Sequence, residues 1–189
     1  VNTQNQLFNK KTINRLCQDI VITDTVRVSV NEWLKLLEKD ELKNEKSNYL
    51  KFKDIVLEGV LGYSRNRIHH EEDNMEFQVS DSDGEKILCI EAKGTATKNL
   101  FIPQHRTKKE HETPIKQTWD YMGKAGLDYG ICTNYKDFIL ITKHLGYTKF
   151  HLIDFTTIKN NEEKLREFIG IFSQERVIDK GFVEKLRDE

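Results

Sequence analysis

Met75-Glu76-Phe77-Gln78-Val79-Ser80-Asp81-Ser82-Asp83-Gly84-Glu85-Lys86-Ile87-Leu88-Cys89-Ile90-Glu91-Ala92-Lys93-Gly94 is the stretch that decides the fold. Phe77 and Val79 alternate with Glu76 and Gln78, and Leu88 and Ile90 alternate with Cys89 and Glu91. Two period-2 runs separated by Asp81-Ser82-Asp83-Gly84 read as a β-hairpin. With Asp83-Gly84 at the two central turn positions, Glu76 falls directly across from Glu91, and period 2 puts Lys93 on the same face. Two carboxylates and an ammonium on one face suit a hard divalent cation such as Mg²⁺, which takes oxygen ligands and keeps several waters. A lysine two residues along can hold an attacking water and stabilise charge that builds on phosphorus. The bland alternative for Glu-X-Lys on a strand is a solvated salt bridge.

Helical periodicity flanks the hairpin on both sides. Upstream, Tyr49, Phe52, Val56 and Val60 recur on one helical face from Asn44 to Gly62. Glu45, four residues before Tyr49, continues that stripe at the first turn, where it either complements the helix dipole or reaches a site. Downstream, Thr113-Pro114 has the form of an N-cap followed by an N1 proline, opening a helix to about Ala125. Ile115, Trp119 and Met122 form its apolar stripe, whereas Gln117 and Tyr121 share a different face and are poorly explained as core. Tyr129 to Thr133 and Phe138 to Thr142 read as a second hairpin around Asn134-Tyr135-Lys136-Asp137, with a further strand open at Phe150 to Phe155. Before residue 44 the chain is polar helical material, with a short strand open at Ile20-Val21-Ile22 and a helix carrying Trp33, Leu34, Leu36 and Leu37. After residue 158, Leu165, Phe168 and Ile169, then Phe182 and Leu186, mark charged amphipathic helices.

These elements predict an α/β fold: a central mixed sheet flanked by helices, with a helical arm over 1–43, a core over 44–158 and a helical extension over 159–189. The 189 residues are 37% hydrophobic, enough for one core. No apolar run exceeds four residues, which excludes a membrane-spanning helix of ~20 residues. The polar start, Val1 to Gln6, has no secretory apolar region behind it, and the missing initiator Met suggests a fragment or processed chain. With 30 basic and 31 acidic residues the net charge is −1, so any binding of a polyanion must be local or borrowed. Lys98, His105, Arg106, Lys108 and Lys109 make such a local basic loop; Arg65 and Arg67 are open to either reading. Cys17, Cys89 and Cys132 fit neither a disulfide framework nor a zinc knuckle and are expected as buried thiols of a cytoplasmic protein. His69-His70-Glu71-Glu72-Asp73 has metal-binding residue types, but neighbours on an extended chain point oppositely, so a solvated loop is expected there.

In order along the chain, the Glu45–Tyr63 helix, Met75–Val79, Ile90-Glu91-Ala92-Lys93-Gly94, Gln117-Thr118-Trp119-Asp120-Tyr121 and Tyr129-Gly130-Ile131-Cys132-Thr133-Asn134 resemble the PD-(D/E)xK nuclease superfamily. The likeness is to the N-terminal endonuclease domains of type IIG-like and type I-like restriction-modification enzymes, and it covers roughly residues 44–155. It implies a restriction-endonuclease-like core and a Mg²⁺-dependent DNA endonuclease, with Mn²⁺ as a substitute. It also implies metal binding by Glu91, by the acid opposite it and by Glu45, with Lys93 as the catalytic lysine. Gln117 and Tyr121 match the Gln-X-X-X-Tyr motif that positions DNA. Double-stranded DNA is the implied partner, methyltransferase and target-recognition domains lie outside this chain, and a dimer is one route to double-strand cleavage. One departure is visible: the first acid is normally Asp, whereas this register gives Glu76. Asp73 competes for the role but lies on the opposite parity unless a bulge intervenes. The alternative reading is a catalytically inactive nuclease-like domain that docks DNA or assembles with other modules.

Overall fold

The computed structural model describes residues 5–70, 77–103 and 112–181. Its centre is a six-stranded mixed sheet in sequential order: β1 (Ile68–His69), β2 (Phe77–Ser80), β3 (Lys86–Ala92), β4 (Tyr129–Thr133), β5 (Asp137–Thr142) and β6 (Gly146–Asp154). Neighbouring strands run antiparallel except β3 and β4, which are parallel. A parallel pair needs a long crossover, and α4 (Pro114–Ala125) lies within the one that joins them.

The β2–β3 pairing is the expected one, Phe77 opposite Ile90, Gln78 opposite Cys89 and Val79 opposite Leu88. It is reached by a different turn. Asp81 and Glu85 close the loop by a backbone bond of 2.9 Å, so Ser82, Asp83 and Gly84 form a three-residue connection with Gly84 at φ 86°. That is the type I turn plus left-handed residue preferred at this length. Asp81 Oδ1 accepts from the amides of Asp83 and Glu85, both at 2.9 Å, which favours this loop over a two-residue one. The register then shifts between Val79 and Ser80, with Ile87 bulged, and the slip is cancelled. The Ile87 carbonyl accepts from the Asp128 amide instead.

One face of the sheet, carrying Phe77, Val79, Leu88, Ile90, Ala92, Ile131, Phe138 and Leu140, packs on helices before and after it in sequence. These are α2 (Asp24–Glu38), a mixed helix α3 (46–58) and α5 (Glu162–Phe172), with α1 (Lys10–Cys17) packed on α5. Trp33, Phe52, Phe168 and Phe172 fill this layer, so residues 5–43 supply part of the same core. The helix expected from Asn44 opens with a 3-10 turn and continues as a wide turn, with Gly59 and Leu61 amides bonding to Asp54 and Val56, five residues back. Widening turns Leu57 and Leu61 inward beside Phe52, Val56 and Val60.

The opposite face, carrying Gln78, Cys89, Glu91, Cys132 and Ile139, is covered by α4. Thr113 caps this helix by accepting from the Lys116 amide, Pro114 is its first residue and Gly126 ends it at φ 70°. Gly130 on β4 lets it sit close: a Cβ there would lie 2.5 Å from Met122 Sδ and 2.8 Å from Thr118 Cγ2. Thr118 is therefore buried with Ile115 and Met122, and Trp119 stays half-buried against Tyr147.

Ile20-Val21-Ile22 is not a strand. Its side chains alternate as a strand's do, Ile20 and Ile22 buried and Val21 83% exposed. Its neighbour, however, is α5, where Gly170 admits Cys17 and Ile20 and where Arg166 donates to the Ile20 carbonyl, so no ladder can form. The expected strand at Phe150 begins earlier, at Gly146. Beyond α5 the chain makes a further wide turn, Glu175–Asp179, and Phe182 and Leu186 lie outside the described residues. All three cysteines are buried and free. Among the described residues no helix is long and apolar enough to cross a membrane.

Candidate functional site

Glu91 and Lys93 leave the C-terminal end of β3 on the α4 face. Glu91 is buried, and Lys93 Nζ lies 2.6 Å from its Oε1 and 3.8 Å from Glu45 Oε2. Glu45 comes from the segment before α3, and Gly94 is what lets it arrive. A Cβ on Gly94 would fall 1.9 Å from the Lys43 carbonyl oxygen and 2.9 Å from the Glu45 amide nitrogen. Just beyond, the Thr95 amide donates to the Leu42 carbonyl at 2.9 Å, which staples this segment across the strand end.

Two tyrosines fix Glu45 from either side. Tyr49 donates its hydroxyl to Glu45 Oε1 and Tyr135 donates to the Glu45 carbonyl, both at 2.9 Å. Tyr135 is fully buried in the β4–β5 turn at φ 72°, a conformation few side chains adopt. Asn134 stabilises that turn, its Oδ1 accepting from the amides of Lys136 and Asp137 and its Nδ2 donating to the Thr97 carbonyl. The Trp33 indole donates to the Tyr135 carbonyl at 2.9 Å, carrying the restraint back to α2.

On the same face Tyr121 of α4 accepts from Gln78 Nε2 at 3.4 Å, and Gln117 lies half-buried one turn earlier. Sequence reasoning thus brought Glu45, Glu91 and Lys93 to one place, with Tyr121 on their face of the sheet. It missed Gly94, Tyr135 and Gln78. A polar residue at the inward position opposite Cys89 was the available signal for Gln78; nothing local marks Tyr135. Glu76 and Asp73 lie outside the described residues, as do His105, Arg106, Lys108 and Lys109. Lys98 is exposed. Arg65 pairs with Asp54 and Glu58, and Arg67 with Asp179. His69 is in a strand rather than a loop, its Nε2 3.1 Å from Ser80 Oγ.

Burial raises the Glu91 carboxyl above the ordinary carboxylate range; the Lys93 ammonium pulls it back and Glu45 adds to the rise. A buried carboxylate with a second one beside the same ammonium is a site where further positive charge is stabilised. Gln78 Oε1, buried and without a hydrogen-bond partner, adds an unclaimed oxygen to that face. The donors are all hard oxygens, which fits Mg²⁺ or Mn²⁺ and not a soft metal. Among the described residues no three His, Cys, Asp or Glu side chains form a cation cage; Glu91 and Glu45 are the two described carboxylates of the expected set. Burial pushes the Cys132 thiol up to about 12 and that of Cys89 higher still, so neither acts as a thiolate nucleophile at neutral pH. A separate cavity of about 370 Å³ opens between Gln6, α1, β6 and α5, beside His151 and Glu167, and contains none of these residues.

Comparison of the chain with family models, with curated proteins and with solved structures found no significant match.

Proposed function

We propose that this domain is a Mg²⁺-dependent DNA endonuclease, the cleavage module of a restriction-modification enzyme built on a restriction-endonuclease-like core. The observation that carries the reading is Lys93 held between Glu91 and Glu45 at the C-terminal end of β3. Glu91, Glu45 and the acid from the 73–76 segment are the residues that hold the cation. When bound, Mg²⁺ supplies an acidified water and a Lewis acid for the phosphoryl oxygen. Lys93, beside two carboxylates, donates to the phosphoryl oxygen on which negative charge grows as water adds and the P–O ester bond breaks. Glu45, tied by Tyr49 and Tyr135, orients that ammonium. Gln117 and Tyr121 line the DNA side of the site, and Lys98, Arg106, Lys108 and Lys109 meet phosphates. A net charge of −1 agrees with sequence reading and most DNA affinity residing in other domains or partner proteins, in the cytoplasm. Two copies, or two visits, make a double-strand break.

A second reading, a catalytically silent nuclease-like module that docks DNA, is favoured by one observation: the Lys93 ammonium already occupies Glu91 Oε1 at 2.6 Å. Nicking of supercoiled DNA in Mg²⁺ or Mn²⁺ separates the two. Metal-dependent nicking lost in Glu91→Ala and Lys93→Ala supports the nuclease, whereas DNA binding without any cleavage supports the silent module.

A further inference from the structure

We propose that Gln78 is a positioning residue of this site, its buried side-chain carbonyl accepting from the water shell of the divalent cation that Glu91 holds. The inference rests on the nuclease reading. Gln78 is 3% exposed, on β2, directly opposite Cys89. Glu91 is the next β3 residue on that face, a diagonal neighbour at about 7–8 Å, within reach of long side chains. The amide nitrogen of Gln78 donates to the Tyr121 hydroxyl at 3.4 Å. Its Oε1 is one of three buried side-chain polar atoms among the described residues that have no partner, and another, Thr95 Oγ1, follows Lys93 by two residues. A buried acceptor left empty costs free energy, and folded proteins rarely retain one unless an ion or water claims it. On the sheet face that Gln78 shares with Glu91, the claimant would be a coordinated water, which a metal polarises into a strong donor. Outer-shell acceptors of this kind orient the bound water and tune its acidity.

Three variants test this through Mn²⁺ binding, followed by the paramagnetic signal of free Mn²⁺, and through melting of the metal-free and Mn²⁺-loaded protein. Gln78→Met removes the acceptor at similar volume. Its metal-free melting temperature is expected to rise by about 3 °C, while Mn²⁺ affinity falls about ten-fold. Gln78→Glu restores an acceptor oxygen and is expected to hold Mn²⁺ within about three-fold of the parent, with a lowered metal-free melting temperature from a second buried acid beside Glu91. Glu91→Gln marks the site itself. Mn²⁺ binding that depends on Glu91 but is unchanged in Gln78→Met overturns the role of Gln78 and leaves the nuclease reading standing. No Glu91-dependent Mn²⁺ binding in the parent protein overturns both. A weaker Gln78→Met that Gln78→Glu also fails to restore shows a purely structural residue and likewise overturns the proposal.

Discussion

The two faces of the sheet are built from the same strands and do opposite things. On β3, Leu88, Ile90 and Ala92 enter a layer of aromatic rings in which Phe168 lies 5.0 to 5.2 Å from Phe138, Phe155 and Phe172. Cys89, Glu91 and Lys93, interleaved with them, lie on the α4 face and include a largely buried ion pair, with the unpartnered Gln78 Oε1 on the same face. The first face is satisfied by burial alone, worth roughly 25 cal/mol for each Å² of apolar surface. On the second, polar groups are desolvated without full compensation, and removal of one partner leaves a buried charge. The stabilising face and the candidate site are thus separated by the two-residue period of a strand.

The largest effect separates the faces by function. Glu91→Ala and Lys93→Ala are each expected to reduce metal-dependent nicking by about a thousand-fold or more, with the fold retained by circular dichroism; a variant that nicks at the parent rate breaks the division. Phe168→Ala, on the aromatic face, is expected to cost about 4 kcal/mol and lower the melting temperature by about 10 °C. Calorimetry checks this, and a near-neutral result means the rings do not carry the fold. Gly94→Ala must push the 43–45 segment off the strand end and is expected to cost about 2 kcal/mol; its nicking should fall further than its stability, which parallel melting and plasmid assays measure.

A smaller, pH-dependent effect belongs to Glu91. Its carboxyl titrates higher in the folded chain than the ordinary value of 4.5, so between the two values the native state holds a proton that the unfolded chain has lost. That contribution is full below the ordinary value and disappears as pH rises through the folded one. Metal-free urea unfolding is therefore expected to show a decline across this window that Glu91→Gln lacks; parallel curves for the two proteins sink the assignment. Smallest is Thr113→Ala, which removes the cap of α4 at a cost of about 1 kcal/mol by denaturant titration.

How far the sequence was legible follows the same division. Period 2 in Phe77–Val79 and Leu88–Ile90 revealed the hairpin and its register, because a buried face tolerates no one-residue slip. The turn was misjudged by one residue, since the Asp81 carboxylate chose the loop and the Ile87 bulge absorbed the change. Thr113-Pro114 announced α4 through local backbone chemistry alone. Glu45 was visible as a carboxylate on an apolar stripe. Its fastening was not, because Gly94 and Tyr135 act through contacts more than 45 residues apart in sequence. The Ile20–Ile22 strand failed for a related reason: side-chain alternation reports burial, and a ladder also needs an edge to pair with.

The parallel junction of β3 with β4 has a consequence for synthesis on the ribosome. Ala92 finds its β4 partner, Thr133, only after the intervening crossover has emerged, and Glu45 is clasped only when Tyr135 follows. A nascent chain that already carries Glu45 and Glu91 therefore remains unassembled at this end until that tyrosine is free to fold. The order of emergence delays completion of the site until most of the domain has been made.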